Sequence, residues 1–132
     1  MPPINVKIEG KGNGIKSVIN NMTQVGKALN RNPDYILKFM SYALGSRVTR
    51  RNETYIIAGI HNATTLRAVL DTFIQRFVLC RHCNNPETTT RIIHYIVNVS
   101  CNACGNVIPI ESHDKVTLYM LKNHAKIPIT LK

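Results

Sequence analysis

The chain has 132 residues, with 17 Lys and Arg against 7 Asp and Glu, for a formal net charge of +10. That length holds one ordinary domain, or a small domain with a metal-stapled module. No apolar run approaches the ~20 residues of a membrane span, and the basic residues are too scattered for a polybasic membrane anchor. The excess of positive charge points to an anionic partner, with nucleic acid the first guess.

Residues 5–9 alternate polar and apolar side chains and read as a strand with one buried face. Gly10-Lys11-Gly12-Asn13-Gly14 follows, a loop free to take positive φ. Residues 15–19 resume as a strand, so 5–19 is predicted to be a hairpin with a basic, glycine-rich tip. Asn21 or Thr23 can cap a short helix carrying Val25, Ala28 and Leu29. Asn32-Pro33 is a second start signal, a cap followed by Pro at the first helical position. The helix it opens carries Ile36, Leu37, Met40, Ala43 and Leu44, and Gly45 is placed to end it. The pair looks like a helix-turn-helix.

Strands at 47–50 and 54–60 flank a turn at 51–53, where Arg47, Arg50 and Arg51 make a second basic tip. A solvated hairpin end explains these arginines as well as RNA contact does. Leu66, Val69, Leu70, Phe73, Ile74 and Phe77 recur at spacings of three and four, which predicts a helix over 62–77.

Four cysteines follow, in two pairs: Cys80-Arg-His-Cys83 and Cys101-Asn-Ala-Cys104, with residues 84–100 between them. Two C-x2-C knuckles aim four thiolates at one point, which suits a single structural Zn2+. With all four positions filled by sulfur, such a metal is a staple, not a catalyst. Two disulfides would need an oxidising compartment, and no apolar leader opens the chain. The setting expected is the cytoplasm. His82 lies inside the first knuckle and reads as a surface residue. Between the knuckles, 91–94 and 95–99 are rich in strand formers, and 107–110 offers another strand. Ser112 can cap a last helix with Val116, Tyr119 and Met120, though residues 116–119 suit a strand equally well.

The fold class expected is therefore α+β. A small mixed domain with hairpins and three helices spans 1–77, and a zinc ribbon spans 78–132. Nothing assembles into a self-contained enzyme. His61, His82, His94, His113 and His124 are dispersed, and no nucleophile with base, carboxylate pair or open metal site can be built.

Several segments resemble the N-terminal domain of eukaryotic translation initiation factor five, a relative of the beta subunit of initiation factor two. They are the stretch from Val6 to Lys16; Ala28-Leu29-Asn30-Arg31 with Pro33 and Tyr35; and Leu44-Gly45. Further on come Phe77-Val78-Leu79-Cys80, Asn85-Pro86-Glu87-Thr88 after Cys83, Cys101 with Ala103-Cys104-Gly105, and Leu121-Lys122-Asn123.

The resemblance implies a module of the scanning small ribosomal subunit, beside its RNA, the messenger RNA and the initiator tRNA. It also implies contact with the gamma subunit of the GTP-binding initiation factor two. The RNA-facing residues carried over are Lys7, Gly10, Lys11, Gly12, Asn13, Gly14 and Lys16. The chemistry agrees, since glycines let backbone N–H groups approach phosphate and the lysines add charge without reading sequence. The family's arginine finger sits on an arm ahead of the segment matching Met1-Pro2. No arginine here falls at a matching position, so the expectation is a binding module without GTPase activation. The alternatives are a GTPase-activating or gamma-subunit-binding module, and a zinc-ribbon DNA-binding protein.

Overall fold

The computed structural model describes residues 3–10, 14–52, 54–110 and 115–130. Strands β1 (Val6–Glu9) and β2 (Lys16–Ile19) form the expected hairpin, with Glu9 opposite Lys16. β1 is an edge strand with a single neighbour, and the buried face expected of it is incomplete: Ile8 is 43% exposed. β2 is the buried strand. Its one polar core residue, Ser17, donates to Gly59 O at 2.8 Å and accepts the His61 N–H at 2.8 Å, so its burial leaves no unmade hydrogen bond.

Helix α1 (Met22–Leu29) starts after Asn21, but Asn21 does not cap it. Its Oδ1 accepts the Asn5 N–H at 2.9 Å and its amide donates to Pro3 O at 2.6 Å, so the strand entry claims the side chain. Helix α2 (Pro33–Leu44) follows its sequence signals. Asn32 accepts the Asp34 N–H at 3.1 Å, Pro33 opens the first turn, and Gly45 at φ 64° closes the last. Tyr35, Ile36, Leu37, Phe39 and Met40 are all buried, and α2 packs on α1, α3, α4 and β3. Most of α2 is thus turned into the core, with Tyr42 and Ala43 exposed near its C-terminal end.

Strands β3 (Val48–Arg51) and β4 (Thr54–Ala58) complete an antiparallel sheet in the order β1-β2-β4-β3. Helix α3 (Ala63–Phe73) is capped by Asn62, which accepts the Thr65 N–H at 2.8 Å. The single helix expected to reach residue 77 widens after Phe73 into a π-helical turn, Ile74–Val78, where the Leu79 N–H donates to Ile74 O at 2.8 Å. This turn buries Phe77 and Val78 completely. The Phe39, Phe73 and Phe77 rings meet there at centroid distances of 5.2–6.0 Å, edge-on or tilted as the ring quadrupoles favour.

The second sheet is β5 (Thr88–Ile93), β6 (Ile96–Cys101) and β7 (Val107–Pro109), in that order and antiparallel. The strands expected at 91–94 and 95–99 are thus one longer hairpin, with Ile93 opposite Ile96 and a two-residue turn between. His94 and Tyr95 hold that turn at φ 51° and 63°. Both positions demand left-handed backbone, which Asn-Gly takes far more readily than His-Tyr. Tyr95 is 81% exposed and anchors nothing in the core. The double substitution His94→Asn, Tyr95→Gly is therefore expected to stabilise the protein by about 1–2 kcal/mol. A thermal melt checks it, and a lower midpoint would show that the tip side chains contribute more than their backbone costs.

Helix α4 (Lys115–Asn123) settles the ambiguity at 116–119. Val116 and Met120 are buried at helical spacing, and α4 packs on α2 and β6. Ser112, its expected cap, lies outside the described residues. Beyond α4 the chain returns to the α1–α2 corner, where the Asn32 N–H donates to Ile129 O at 2.7 Å and the Tyr35 hydroxyl donates to Ile127 O. The apolar core is one cluster. Val97, Val99, Ile110, Val116, Met120 and Ile129 join the residues of α1, α2 and α3 without a gap at residue 77.

Candidate metal centre and nucleic-acid interface

The two cysteine knuckles are built alike. In the first, the Asn84 N–H donates to Cys80 O at 2.7 Å and the Cys80 N–H donates to Asn85 O at 3.1 Å. In the second, Gly105 and Cys101 make the matching bonds, to Cys101 O at 3.0 Å and to Asn106 O at 2.9 Å. Each turn needs a left-handed residue after its second cysteine, supplied by Asn84 at φ 61° and Gly105 at φ 78°. Asn and Gly tolerate that region best.

The β5–β6 pairing sets Thr88 against Cys101 and brings the knuckles face to face. All four Sγ atoms lie within 4.8 Å of one another, with Cys80–Cys104 at 3.7 Å and Cys83–Cys101 at 3.5 Å. A tetrahedral ion with metal–sulfur bonds of about 2.3 Å requires sulfur–sulfur edges of about 3.8 Å. The cysteines thus fit a metal ion, and the cluster contains no histidine; His82 is exposed.

Two of the sulfurs are shifted in opposite directions by their surroundings. The Asn106 backbone N–H lowers Cys104 to about 6, with help from the Asn106 side chain. At Cys83 the Asn85 backbone N–H pulls the thiol down, but desolvation and the three neighbouring sulfurs outweigh it and push it up to about 12. Cys83 and Cys104 are thus driven apart, and a bound cation would favour the thiolate at both.

The basic tips are placed by the first sheet. Lys7 is exposed on β1 and lies 3.7 Å from Glu9. Lys16 opens β2. Gly10 holds φ 94°, and a Cβ there would sit 2.3 Å from Gly14 O, so only glycine permits this closure of the loop. Gly14 is exposed. Lys11, Gly12 and Asn13 lie outside the described residues.

At the second tip, Arg47 and Arg51 are exposed, while Arg50 is engaged. Its Nη1 binds both Asp34 carboxylate oxygens at 2.9 and 2.7 Å, and its Nε donates to Asn52 O at 2.9 Å. The register places the two tips apart. Lys16 pairs with Ala58 at the end of β4, whereas Arg51 pairs with Thr54 at its start. The tips therefore leave opposite ends of the sheet, separated by about 15 Å of strand.

Sequence reasoning passed over Arg31 as a structural residue. It is fully buried. Nη1 donates to Leu29 O at 3.2 Å, Asn30 O at 3.0 Å and Thr88 O at 2.8 Å; Nη2 donates to Phe77 O at 2.9 Å and Thr88 Oγ1 at 2.8 Å. Burial lowers its pKa to about 10, which leaves the guanidinium charged at neutral pH. The charge rests on carbonyls at the ends of α1 and of the π turn, where the helix dipoles are negative. Arg31 thereby ties the α1–α2 corner, the π turn and the first strand of the cysteine ribbon to one point. The only signal in the sequence was its place among the residues resembling a known family, beside a second such stretch containing Thr88.

These features define an α+β domain with a four-cysteine ribbon riveted to it. The chain belongs to the family described as a domain found in initiation factors 2B and 5, whose match covers residues 1–107. It is similar to eukaryotic translation initiation factor 5 of Caenorhabditis elegans, 42% identical over 131 residues, covering 98% of this chain and 30% of that protein. The Mus musculus factor is 44% identical over 127 residues, covering 93% of this chain and 30% of its own length. The Saccharomyces cerevisiae factor is 40% identical over 127 residues, covering 93% and 31%. The chain thus spans about 30% of the length of these curated relatives. Among the described residues no helix is long and apolar enough to cross a membrane.

Proposed function

We propose that these residues form a translation initiation module that binds the small ribosomal subunit near its decoding centre and stabilises pairing between initiator tRNA and the start codon. The observation that carries the reading is the β1–β2 tip of a chain in this family: Gly10 folded tightly onto Gly14, with Lys7 and Lys16 on the strands beneath. Such a tip offers backbone and point charges to phosphate and 2′-OH groups. The gamma subunit of initiation factor two is the protein partner in this reading.

The four cysteines hold one structural Zn2+, which keeps β5 and β6 in register below the Arg31 rivet. The module acts by binding. Faster single-turnover GTP hydrolysis on the tRNA-carrying factor when the protein is added would favour a GTPase-activating module instead.

The test is binding of the zinc-loaded protein to small subunits carrying messenger RNA and initiator tRNA, with AUG compared against a near-cognate codon over several salt concentrations. Tighter binding on AUG is expected. Lys11→Ala with Lys16→Ala should weaken it, leave the thermal transition nearly unchanged, and flatten the log–log salt slope by about 1.5, as two lost phosphate contacts require. Equal binding with and without tRNA would overturn the reading. Tight duplex-DNA binding with indifference to ribosomal subunits would favour a DNA-binding protein instead.

A further inference from the structure

A groove between α2, the π turn and α4 is used by neither basic tip. Phe39, Tyr42, Ala43, Arg76, Lys115 and Val116 line about 330 Å³. A second depression of about 230 Å³ continues it past Tyr42 and Lys115 to Leu118, Tyr119 and Lys122. The floor is apolar: Phe39 and Val116 are core residues, and Leu118 stands 45% exposed at the far end. The rim is cationic, and no Asp or Glu among the described residues lines either depression. Asp34, at the start of α2, is bound by Arg50 at 2.7 Å.

The cations are held over rings. Lys38 Nζ lies 5.4 Å from the Tyr42 centroid and 5.2 Å from that of Tyr119, and Lys115 Nζ lies 6.0 Å from Tyr42. This arrangement decides between two polyanions. Single-stranded nucleic acid needs open aromatic faces for its bases, and here ammonium groups cover the Tyr42 and Tyr119 rings. Carboxylates can approach those ammonium groups from outside without displacing them. The apolar floor then has room for a bulky side chain, which a polyanion without one leaves unfilled.

We propose that this groove docks a short acidic segment of a partner protein. One leucine or phenylalanine of that segment seats beside Ala43 and Val116, next to the Arg76 guanidinium that stands 5.8 Å over the Phe39 ring, and its Asp or Glu neighbours lie on Lys38, Lys115 and Lys122. Seating an apolar anchor in a pocket supplies most of the affinity, and the charged rim supplies orientation and encounter rate. The proposal is independent of the RNA reading, because it uses α2 and α4 and not the hairpin tips.

Fluorescence anisotropy on the intact chain tests it, with a short labelled peptide repeating Asp-Glu-Leu-Phe as the probe. Polyglutamate and a uridine oligonucleotide of equal length serve as competitors. The peptide should bind more tightly than either. Its affinity should fall about tenfold in Lys115→Glu with Lys122→Glu, and by a similar factor in Ala43→Trp, which fills the floor without changing charge. Both variants are first checked for an unchanged thermal transition. Should Ala43→Trp fail that check, the exposed charge reversal still decides. Polyglutamate binding as well as the peptide would overturn the apolar anchor. The oligonucleotide displacing the peptide equally well would make the groove a nucleic-acid surface and overturn the protein partner. No peptide binding, or binding unchanged in the charge-reversed variant, would overturn the whole proposal.

Discussion

Removing the Zn2+ proposed for Cys80, Cys83, Cys101 and Cys104 is expected to abolish the cooperative thermal transition of the whole protein. A structural Zn2+ contributes about 10–16 kcal/mol of apparent binding energy in small peptides at neutral pH, while a domain's entire stability is about 5–15 kcal/mol. The loss should not stay in the ribbon. Val97 and Val99 of β6 belong to the same core as Leu70 and Phe73 of α3, and Thr88 of β5 supplies two of the oxygens around Arg31. A ribbon that loses its register withdraws these groups from the first sheet's helices. Circular dichroism before and after a chelator, with the zinc content followed by native mass spectrometry, measures the effect. Cys80→Ser or Cys104→Ser should reproduce it without a chelator. A metal-free protein that melts as the loaded one does would remove the centre from the account of stability.

Arg31→Ala should cost about 3–5 kcal/mol, because truncation leaves buried acceptors from three segments with no donor. Carbonyls of Leu29, Asn30, Phe77 and Thr88 lose their shared partner, and the Thr88 hydroxyl keeps only its bond to Val78 O. Arg31→Lys should recover only part of the loss. An ammonium is a compact point charge with three donors and cannot reproduce a planar fork serving five contacts. Urea unfolding of the three proteins measures the difference. A cost below about 1 kcal/mol for Arg31→Ala would mean that water replaces the guanidinium, and that the corner is open to solvent.

The contrast between the cysteine cluster and Arg31 shows what this sequence made legible. The cysteines announce themselves because ligands come in pairs at fixed local spacing, and each knuckle is closed by bonds within six residues. Asn32-Pro33 and Gly45 were equally readable, since helix ends are set by the residues that stand there. Arg31 was hidden because its partners come from residues 29, 30, 77 and 88 and meet only after folding. The widening of α3 at Ile74–Val78 had no signal either. A period of three and four runs through residue 77 in the sequence, and only the position of Phe77 O against Arg31 shows what the extra residue in the turn achieves. Asn21 misled for a related reason: a good capping side chain was taken by the Asn5 N–H, sixteen residues away at the entry to β1. The groove of α2 and α4 left a trace in Lys38–Tyr42 and Lys115–Tyr119, each four apart, but their convergence required the two helices to pack.

A ribosome making this chain delivers residues 127–129 long after the segment they fasten. Asn32 and Tyr35 wait for the carbonyls of Ile129 and Ile127. At about 5–20 residues per second, the interval is on the order of ten seconds. Throughout it the α1–α2 corner is without its strap, and for most of it α2 also lacks α4, which packs on it. The α1–α2 corner is therefore fastened only after α4 has been made.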